Sequence, residues 1–276
     1  MNAFYNTCHE AIDYALKTKT FGLYYSNVVK QNLSIHMHDC CEIFLSLSDA
    51  QNFLINDKIY SVNKNDLFII NQFESHKINI GNRNDFYRYS LHIHPDFINS
   101  KSSPEFDFNK IFHTDNKLDK IHLSYGEAEK LTKLFESLTV QHNQGDEIYK
   151  TIRVMEILLE TANLCNTHNE TQSSQKQNDI VLQAIDYINK NFTRQISLND
   201  VAEHCFISVN HLCSIFKSNL STTVNKYITS KRLALAKKYL SEGKSVTETA
   251  FSCGFNDYAN FIRVFKNNIG VPPGKY

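Results

Sequence analysis

The chain has 276 residues, and its 29 Lys and Arg are balanced by 29 Asp and Glu, so its formal net charge is zero. This balance hides a division, because residues 1–178 hold 17 basic and 22 acidic side chains and residues 179–276 hold 12 and 7. No apolar run reaches the ~18–20 residues of a membrane span, and the N-terminus lacks a signal-peptide layout. We therefore expect a cytoplasmic protein of two domains with different partners, neither of them a membrane.

The 7 cysteines are scattered along the chain and form no C-x-x-C pair. An odd, scattered set argues against a disulfide framework and against a zinc knuckle. Most of these cysteines are expected to be small core residues, with a thiol sensor at Cys40 and Cys41 as the alternative.

Short β-rich runs follow one another over residues 21–95. They have strand length and are enriched in β-branched and aromatic residues. In chain order they are FGLYYSNVV, EIFLSLS, QNFLIN, KIYSV, DLFIIN, HKINI and FYRYSLHI. The turns between them are short, as in antiparallel hairpins. So many short strands in one segment favour a β-sandwich or a small barrel.

A pair of amphipathic helices is predicted over residues 124–165. The apolar residues of the first helix are Leu131, Leu134, Phe135 and Leu138. The second helix carries a heptad-like stripe made of Ile148, Ile152, Met155, Leu159 and Ala162. This stripe either packs against the barrel of the same chain or forms a dimer interface. Ile157, Leu158 and Leu164 widen the apolar surface beyond what one contact would use, which favours the dimer.

Residues 166–178 contain no aliphatic or aromatic side chain and are predicted to be a linker. The linker lies close to the point where the charge of the chain changes sign. It therefore separates a first domain over residues 1–165 from a second domain over residues 179–276.

The second domain contains an internal repeat. The segment SLNDVAEHCFISVNHLCSIFK (197–217) matches SVTETAFSCGFNDYANFIRVFK (245–266) at a spacing of 48 residues, which becomes 49 after the turn. Each copy begins with a capping box, S-x-x-D or S-x-x-E, and continues as a short helix, a tight turn and a second helix. This pattern is typical of a helix-turn-helix unit, and we predict two of them, over 197–218 and 245–268. A long amphipathic helix over 222–242 would hold them at a fixed separation.

This second domain resembles the DNA-binding domain of the AraC/XylS family of bacterial transcription regulators. The resemblance covers residues 184–276 and is strongest in AFSCGFNDYANFIRVFKNNIGVPPGKY. Ser221 stands where the family usually has Gly. The resemblance implies a sequence-specific regulator of promoter DNA, an activator in most family members, whose second helices enter major grooves about one turn (~34 Å) apart. It also implies RNA polymerase as a partner and a homodimer.

The predicted DNA-binding residues lie on the outward faces of the two second helices. They are Asn210, His211, Cys213, Ser214, Lys217, Tyr258, Ala259, Arg263 and Lys266. The resemblance implies base contacts from Asn210, Cys213, Ser214, Tyr258, Ala259 and Arg263. Arg263 is the strongest candidate because a guanidinium pairs bidentately with guanine, and its alternatives are phosphate binding or an intramolecular ion pair. Lys217 and Lys266 either contact phosphate or solubilise the surface, and Asn210 either reads adenine or caps its helix.

In the first domain, His36, His38 and Glu42 follow the spacing H-x-H-x-x-x-E, and His76 lies in a later strand. This set resembles the metal-binding motifs of cupins and implies a cupin-like barrel. Three imidazoles and a carboxylate suit Fe, Mn, Ni or Zn, so a metal- or redox-sensing regulator is the alternative function. A cupin metalloenzyme is least supported, because Ile80 stands where the motif has Asn. We favour a protein with no cofactor, no metal and no catalytic residue.

The favoured ligand of the barrel is a small effector, a sugar or another small polar or aromatic compound. The predicted pocket residues are His38, Glu42, Phe44, Tyr60, Phe68, His76 and Tyr89. His92 and His94, just before Pro95, are expected to lie at a strand end rather than in a site. The fold expected overall is α+β, with a cupin-like β-barrel and a helix pair followed by an all-α double helix-turn-helix domain.

Overall fold

The computed structural model describes residues 4–5, 7–27, 35–56, 58–81, 83, 85–113, 117–169, 180–220 and 222–276. The N-terminal part is built mainly of β-strands and the C-terminal part of helices, which confirms the predicted α+β fold. Among the described residues, no helix combines the length and the apolar character needed to cross a bilayer.

Two sheets form the β-structure of the first domain. Their strands are β1 (Phe4–Tyr5), β2 (Phe21–Asn27), β3 (Cys41–Ser46), β4 (Ala50–Ile55), β5 (Lys58–Val62), β6 (Asp66–Ile70), β7 (His76–Asn79), β8 (Tyr87–Ile93) and β9 (Lys120–His122). The six-stranded sheet has the order β1-β2-β8-β3-β6-β9, and the three-stranded sheet has the order β5-β4-β7. Strands β2 to β8 correspond to the seven predicted runs, whereas β1 and β9 lie outside the predicted barrel segment.

The two sheets face each other across an aromatic core. Phe44 on β3 and Phe68 on β6 meet Phe53 on β4, and the ring centroids of Phe44 and Phe53 lie 4.9 Å apart. The alternate residues Ile43 and Leu45 belong to a second core outside the barrel. Because successive side chains of a strand point to opposite faces, β3 lines the interior with one set and supports the surrounding helices with the other.

Helices cover the outer face of the six-stranded sheet. They are α1 (Cys8–Thr18), α2 (Pro95–Lys101), α3 (Tyr125–Ser137) and α4 (Asp146–Asn169), with a short 3-10 helix at Phe108–Ile111. Apolar residues of α2, α3 and α4 share one core with the sheet. The predicted helix pair is therefore present as α3 and α4, and it packs on the barrel.

The apolar surface of α4 has two sides with different partners. The residues buried in the core with the sheet are Val154, Ile157, Leu158, Ala162 and Leu164. The residues that remain exposed are Ile148, Ile152 and Leu159. The interpretation that Ile157, Leu158 and Leu164 widen a dimer interface was wrong, because the barrel of the same chain buries them. What remains for another partner is a narrower exposed stripe.

Helix α4 continues to Asn169, so residues 166–169 of the predicted linker are helical. The other predicted linker residues lie outside the described residues. The buried side of α4 stabilises this helix against the barrel. Because extending an existing helix by a turn needs no new nucleation, the polar residues 166–169 can continue it.

Six helices make up the second domain in the described residues. They are α5 (Ile180–Asn191), α6 (Leu198–His204), α7 (Val209–Leu220), α8 (Val224–Ser241), α9 (Val246–Ser252) and α10 (Tyr258–Ile269), followed by a 3-10 turn at Pro273–Lys275. Helices α6 and α7 form the first helix-turn-helix unit, and α9 and α10 form the second. Each unit has its own core, and α8 contributes to both. This arrangement is the predicted one.

Local capping fixes where the helices of the units begin. Ser197 and Asp200 form a reciprocal capping box before α6. Before α10 the cap is Asp257, whose Oδ1 accepts a hydrogen bond from the Asn260 backbone N–H at 2.5 Å. The cap is thus Asp257 and not the preceding Asn256. A carboxylate at the helix N-terminus adds a favourable interaction with the helix dipole that an amide lacks.

The turns of the two units differ in one position. Phe206 in the first turn has φ 55° and is 95% exposed, and Gly254 takes the equivalent place in the second turn with φ 84°. A Cβ on Gly254 would lie 2.7 Å from the Phe192 carbonyl oxygen. The second turn therefore requires glycine, whereas the first holds a phenylalanine in a backbone conformation that disfavours side chains.

This difference predicts opposite effects of two substitutions. Phe206→Gly is expected to raise the free energy of unfolding by about 1 kcal/mol, because it removes left-handed strain. Gly254→Ala is expected to lower it by about 2 kcal/mol or more, through strain and the clash with Phe192. Urea denaturation of the full chain measures both. Gly126→Ala is the control, since Gly126 has open space on α3 and gains only helix propensity. A destabilised Phe206→Gly variant would contradict this account.

Candidate functional site

The predicted DNA-binding residues lie on the exposed faces of α7 and α10. All nine of them, Asn210, His211, Cys213, Ser214, Lys217, Tyr258, Ala259, Arg263 and Lys266, are exposed. The opposite faces bury Phe216 and Phe265, which anchor the two helices in their cores. The structure thus presents two polar helix faces joined by α8, and the DNA contacts of individual residues stay predictions.

Two of the alternatives for these residues can be judged from their contacts. Arg263 Nη2 donates a hydrogen bond to Asn260 Oδ1 at 2.9 Å, and no carboxylate of the described residues forms an ion pair with it. Before α7, Ser208 Oγ accepts from the His211 backbone N–H at 3.2 Å, so the cap is Ser208 and not Asn210. Both Arg263 and Asn210 therefore keep side chains that are open to an external partner.

A buried cluster of three histidines surrounds Glu42 at one end of the barrel. Glu42 Oε2 lies 3.1 Å from His38 Nε2, 3.3 Å from His76 Nε2 and 3.9 Å from His92 Nδ1. None of the four side chains is more than 4% exposed. Strand pairing produces the cluster, because Glu42 on β3 lies opposite His92 on β8 and His76 begins β7.

This geometry changes two of the expectations from sequence. His92 was expected outside the site, which was wrong, because it lies on the inward face of β8 and is fully buried. His36 pairs through its backbone with His76, and its ring centroid lies 4.3 Å from that of His76, at the edge of the cluster. The sequence FYRYSLHI contained the signal for this position. Alternate side chains of a strand point to the same face, so His92 shares a face with Ser90, two residues before it.

Burial sets the protonation of the cluster. It lowers the pKa of His38 and brings the pKa of His92 to about 3. Burial would raise the pKa of Glu42, but the surrounding histidines outweigh it and hold this pKa well below its usual value. At neutral pH Glu42 is therefore a carboxylate, and His38 and His92 face it as neutral imidazoles.

The aromatic residues predicted for the pocket separate into two groups. Phe44 and Phe68 are buried inside the barrel, and Tyr60 packs beside them while its hydroxyl donates to Asp119 Oδ2 at 2.6 Å. Tyr89 was wrongly placed in the pocket. Its ring stacks on Phe135 of α3 with the centroids 5.2 Å apart, outside the barrel. It alternates with the inward residues of β8, which fixes it on the outer face.

Cys40 and Cys41 are both buried free thiols. Burial raises the pKa of both thiols, that of Cys41 to about 12. Because the thiolate is the reactive form of cysteine, this environment suppresses redox chemistry at the pair.

A charged contact joins the cluster loop to the second domain. Asp39, next to His38, accepts an ion pair from Lys237 of α8 and a hydrogen bond from the hydroxyl of Tyr276. The Lys237 side chain is 6% exposed, and its ammonium lies 5.7 Å from the Phe73 ring centroid and 5.5 Å from that of Tyr276. The barrel loop that carries His38 is thus tied directly to the helix between the two helix-turn-helix units.

A second contact joins the three-stranded sheet to the first helix-turn-helix unit. The hydroxyl of Tyr227 donates to the Asn56 carbonyl at 2.6 Å, and Asn79 Nδ2 donates to the Asn219 carbonyl at 3.4 Å. Leu54 on β4 belongs to the core of that unit. The first domain therefore contacts the first unit through its sheet and the second through Asp39 and Tyr276.

Comparisons with known proteins agree with these two parts. Residues 24–160 match the family model of the AraC-like ligand binding domain, and residues 201–276 match that of a helix-turn-helix domain. Over 111 residues the chain is 31% identical to the melibiose operon regulatory protein of Escherichia coli K12, an alignment that covers 40% of this chain and 36% of that protein. It therefore spans about a third of the length of this relative.

Two further similarities extend over nearly the whole chain. The chain is 23% identical over 264 residues to the uncharacterized HTH-type transcriptional regulator YdeC of Bacillus subtilis, covering 91% of this chain and 90% of that protein. The crystal structure of ToxT from Vibrio cholerae O395 is 16% identical, covers 94% of this chain and 97% of its own, and gives a TM-score of 0.36. With a ligand-binding domain and a helix-turn-helix domain in this order, the chain belongs to the AraC family of transcriptional regulators.

Proposed function

We propose that this protein is a sequence-specific DNA-binding regulator of transcription, an activator controlled by a small effector in its barrel. The observation that carries the proposal is the pair of exposed helix faces on α7 and α10, held by one connecting helix. Two such helices suit adjacent major grooves about one DNA turn (~34 Å) apart. Arg263 reads guanine, and Lys217 and Lys266 contact phosphates.

The contacts between the domains support control by an effector. The barrel touches both helix-turn-helix units, through Asn56 and Asp39 respectively. A ligand that shifts the loop of His38 also moves Asp39. This movement changes the ion pair of Asp39 with Lys237 and its hydrogen bond with Tyr276. Because a ligand shifts a population by its different affinities for two states, such a contact links barrel occupancy to DNA binding.

The exposed stripe of α4 supports a homodimer. Ile148, Ile152 and Leu159 are 68%, 47% and 41% exposed and repeat at helical spacing. The second domain holds 12 basic and 7 acidic residues, a modest excess for binding DNA. A dimer doubles the DNA contacts, so tight binding depends on it. The protein acts in the cytoplasm and contacts RNA polymerase at the promoter.

Substitution of Arg263 tests the DNA interface. Arg263→Ala is expected to weaken binding to a selected target sequence by about 5- to 100-fold, because one bidentate base contact is lost. It should also flatten the dependence of affinity on salt by about one unit. Fluorescence anisotropy at several salt concentrations measures both. Lys133→Ala is the control, since Lys133 lies on α3, exposed and paired with Glu129. Unchanged affinity and salt slope in Arg263→Ala would refute the assigned face.

A metal-sensing regulator is a second candidate, favoured by the orphaned atoms of the histidine cluster. His76 Nε2 and His92 Nδ1 are buried and form no well-aligned hydrogen bond with any described residue. Zinc takes nitrogen and oxygen ligands at ~2.0–2.2 Å, which places ligand atoms ~3.3–3.6 Å apart. The contacts of 3.1, 3.3 and 3.9 Å to Glu42 Oε2 are close to that spacing. Two sets of three residues have ligand atoms within 4.8 Å of one another and would hold the ion, His38 with Glu42 and His92, or His36 with His38 and His76.

Zinc binding by the purified full chain tests this second candidate. Equilibrium dialysis should give about one zinc per chain, and loss of one ligand in His92→Leu should weaken binding at least about 100-fold. His9→Ala, an exposed histidine on α1, serves as the control. If wild-type protein retains no zinc, or if a chelator leaves DNA binding unchanged, the metal-sensing function is rejected.

A further inference from the structure

Arg88 is a buried cation inside the barrel. It lies on β8 between Ser26 of β2 and Ser46 of β3, and it is 7% exposed. Its neighbour Tyr89 faces the helices outside the sheet, so alternation turns Arg88 towards the interior. The guanidinium carbon lies 5.7 Å from the ring centroid of Tyr24, 5.3 Å from that of Phe44 and 5.8 Å from that of Phe86.

The guanidinium has no hydrogen-bonding or ionic partner within the described residues. Its Nε is buried and forms no hydrogen bond, and no described carboxylate lies within ion-pair distance. Ser90 Oγ, two residues along on the same face of β8, is also buried without a partner. Among the residues that the structure describes, the barrel interior therefore contains an arginine whose Nε has no hydrogen-bond partner, next to a serine hydroxyl that has none.

A cation inside a barrel is energetically unfavourable unless an acceptor or an anion binds it. Charged side chains are almost never fully buried without a partner. The three aromatic rings attract the cation through their quadrupoles, but they do not provide the oxygen acceptors that its five N–H donors need. The missing partner is an anion, and a carboxylate matches the planar donor fork of arginine.

The surroundings define the rest of the ligand. Ser26, Ser46 and Ser90 share the inner face of the sheet with Arg88. Tyr24, Phe44 and Phe86 form the walls. A ligand that fits has one acidic group and an apolar body. Arg88 and His92 are four residues apart on β8, a distance of ~13 Å along the strand. After burial, which is the main cause, the charge of Arg88 also contributes to the lowered pKa of His92.

We propose that Arg88 binds the carboxylate of a small organic acid, and that the effector of this regulator is therefore an anion with an apolar body. Only the second part of this proposal, that the bound acid is the effector, rests on the proposed function as a regulator. Binding of the acid is measured without DNA, so its failure leaves the DNA-binding proposal to be judged by Arg263→Ala.

The test measures thermal unfolding of the full chain with matched acids and amides. Phenylacetate and hexanoate are the probes, and phenylacetamide and hexanamide are their uncharged counterparts. At a concentration of a hundred times Kd, an acid should raise the Tm by about 5 °C or more, and its amide should raise it by less than a fifth of that.

Two variants locate the effect. Arg88→Met keeps the volume and removes the charge, so it should abolish the shift while leaving the unliganded Tm unchanged or higher. Arg83→Met is the control, because Arg83 is an exposed arginine near the barrel rim, and it should keep the full shift.

Four results with these probes and variants would overturn the proposal. They are no shift with either acid, an equal shift with the amides, a full shift retained in Arg88→Met, and a fall of about 5 °C or more in the unliganded Tm of Arg88→Met, which would make the guanidinium a structural group. An equal shift with acetate or phosphate would also reject it, since the site would then bind small anions without using its aromatic walls.

Discussion

Glu42→Ala is expected to lower the free energy of unfolding of the metal-free protein by about 3–5 kcal/mol. Glu42 is 3% exposed and supplies the oxygen that His38, His76 and His92 face. Without this carboxylate, three buried imidazoles lose the oxygen that they contact, and a cavity opens between β3 and β8. Both effects act in the same direction. Urea denaturation with a chelator present measures the change.

Glu42→Gln is the matched control for this prediction. Glutamine keeps the volume and one oxygen acceptor, so we expect it to cost only about 1–2 kcal/mol. A loss of less than about 1 kcal/mol in Glu42→Ala would show that the histidines do not depend on the carboxylate. The cluster would then have no role in holding the barrel together.

The contact between Asp39 and Lys237 predicts an asymmetric pair of single substitutions. Asp39→Ala is expected to destabilise the protein by about 3 kcal/mol, because it leaves the 6%-exposed Lys237 ammonium without its counter-charge. Lys237→Met should cost less, since Asp39 is 25% exposed and can be hydrated. It also keeps the hydroxyl of Tyr276 as a donor. Urea denaturation of the full chain measures both variants.

The double variant separates this contact from other effects of the two residues. Asp39→Ala combined with Lys237→Met should be more stable than the sum of the single changes predicts, with a coupling energy of about 2 kcal/mol. Lys238→Met is a control on the same helix, because Lys238 is exposed and points to Glu242 at 3.9 Å. A coupling energy near zero would mean that the two domains are not held together by this pair.

The local patterns of the sequence predicted most elements of the fold. Runs of strand length that are rich in β-branched and aromatic residues located the strands from β2 to β8, and the repeat located both helix-turn-helix units. These features depend on residues that are close together in the sequence, so they can be recognised from one sequence alone. Strand β9 has only 3 residues, and its place beside β6 is fixed by pairing across a long stretch of chain. Its sequence alone gives no comparable signal.

The site was predicted less completely, for the same physical reason. His38, Glu42 and His76 were found through a motif, whereas His92 joins them only because β8 pairs with β3 in one register. Tyr89 was misplaced because an aromatic residue suits either face of a strand. The Asp39–Lys237 contact spans the two domains, and no pattern near either residue indicates it.

We propose that one chain reads two adjacent major grooves with α7 and α10. The most direct measurement is a hydroxyl-radical footprint of the full chain on a sequence selected from random DNA. We expect two protected segments for each chain, with their centres about 10–11 base pairs apart. A single protected segment for each chain, or selection that enriches no sequence, would contradict the claim.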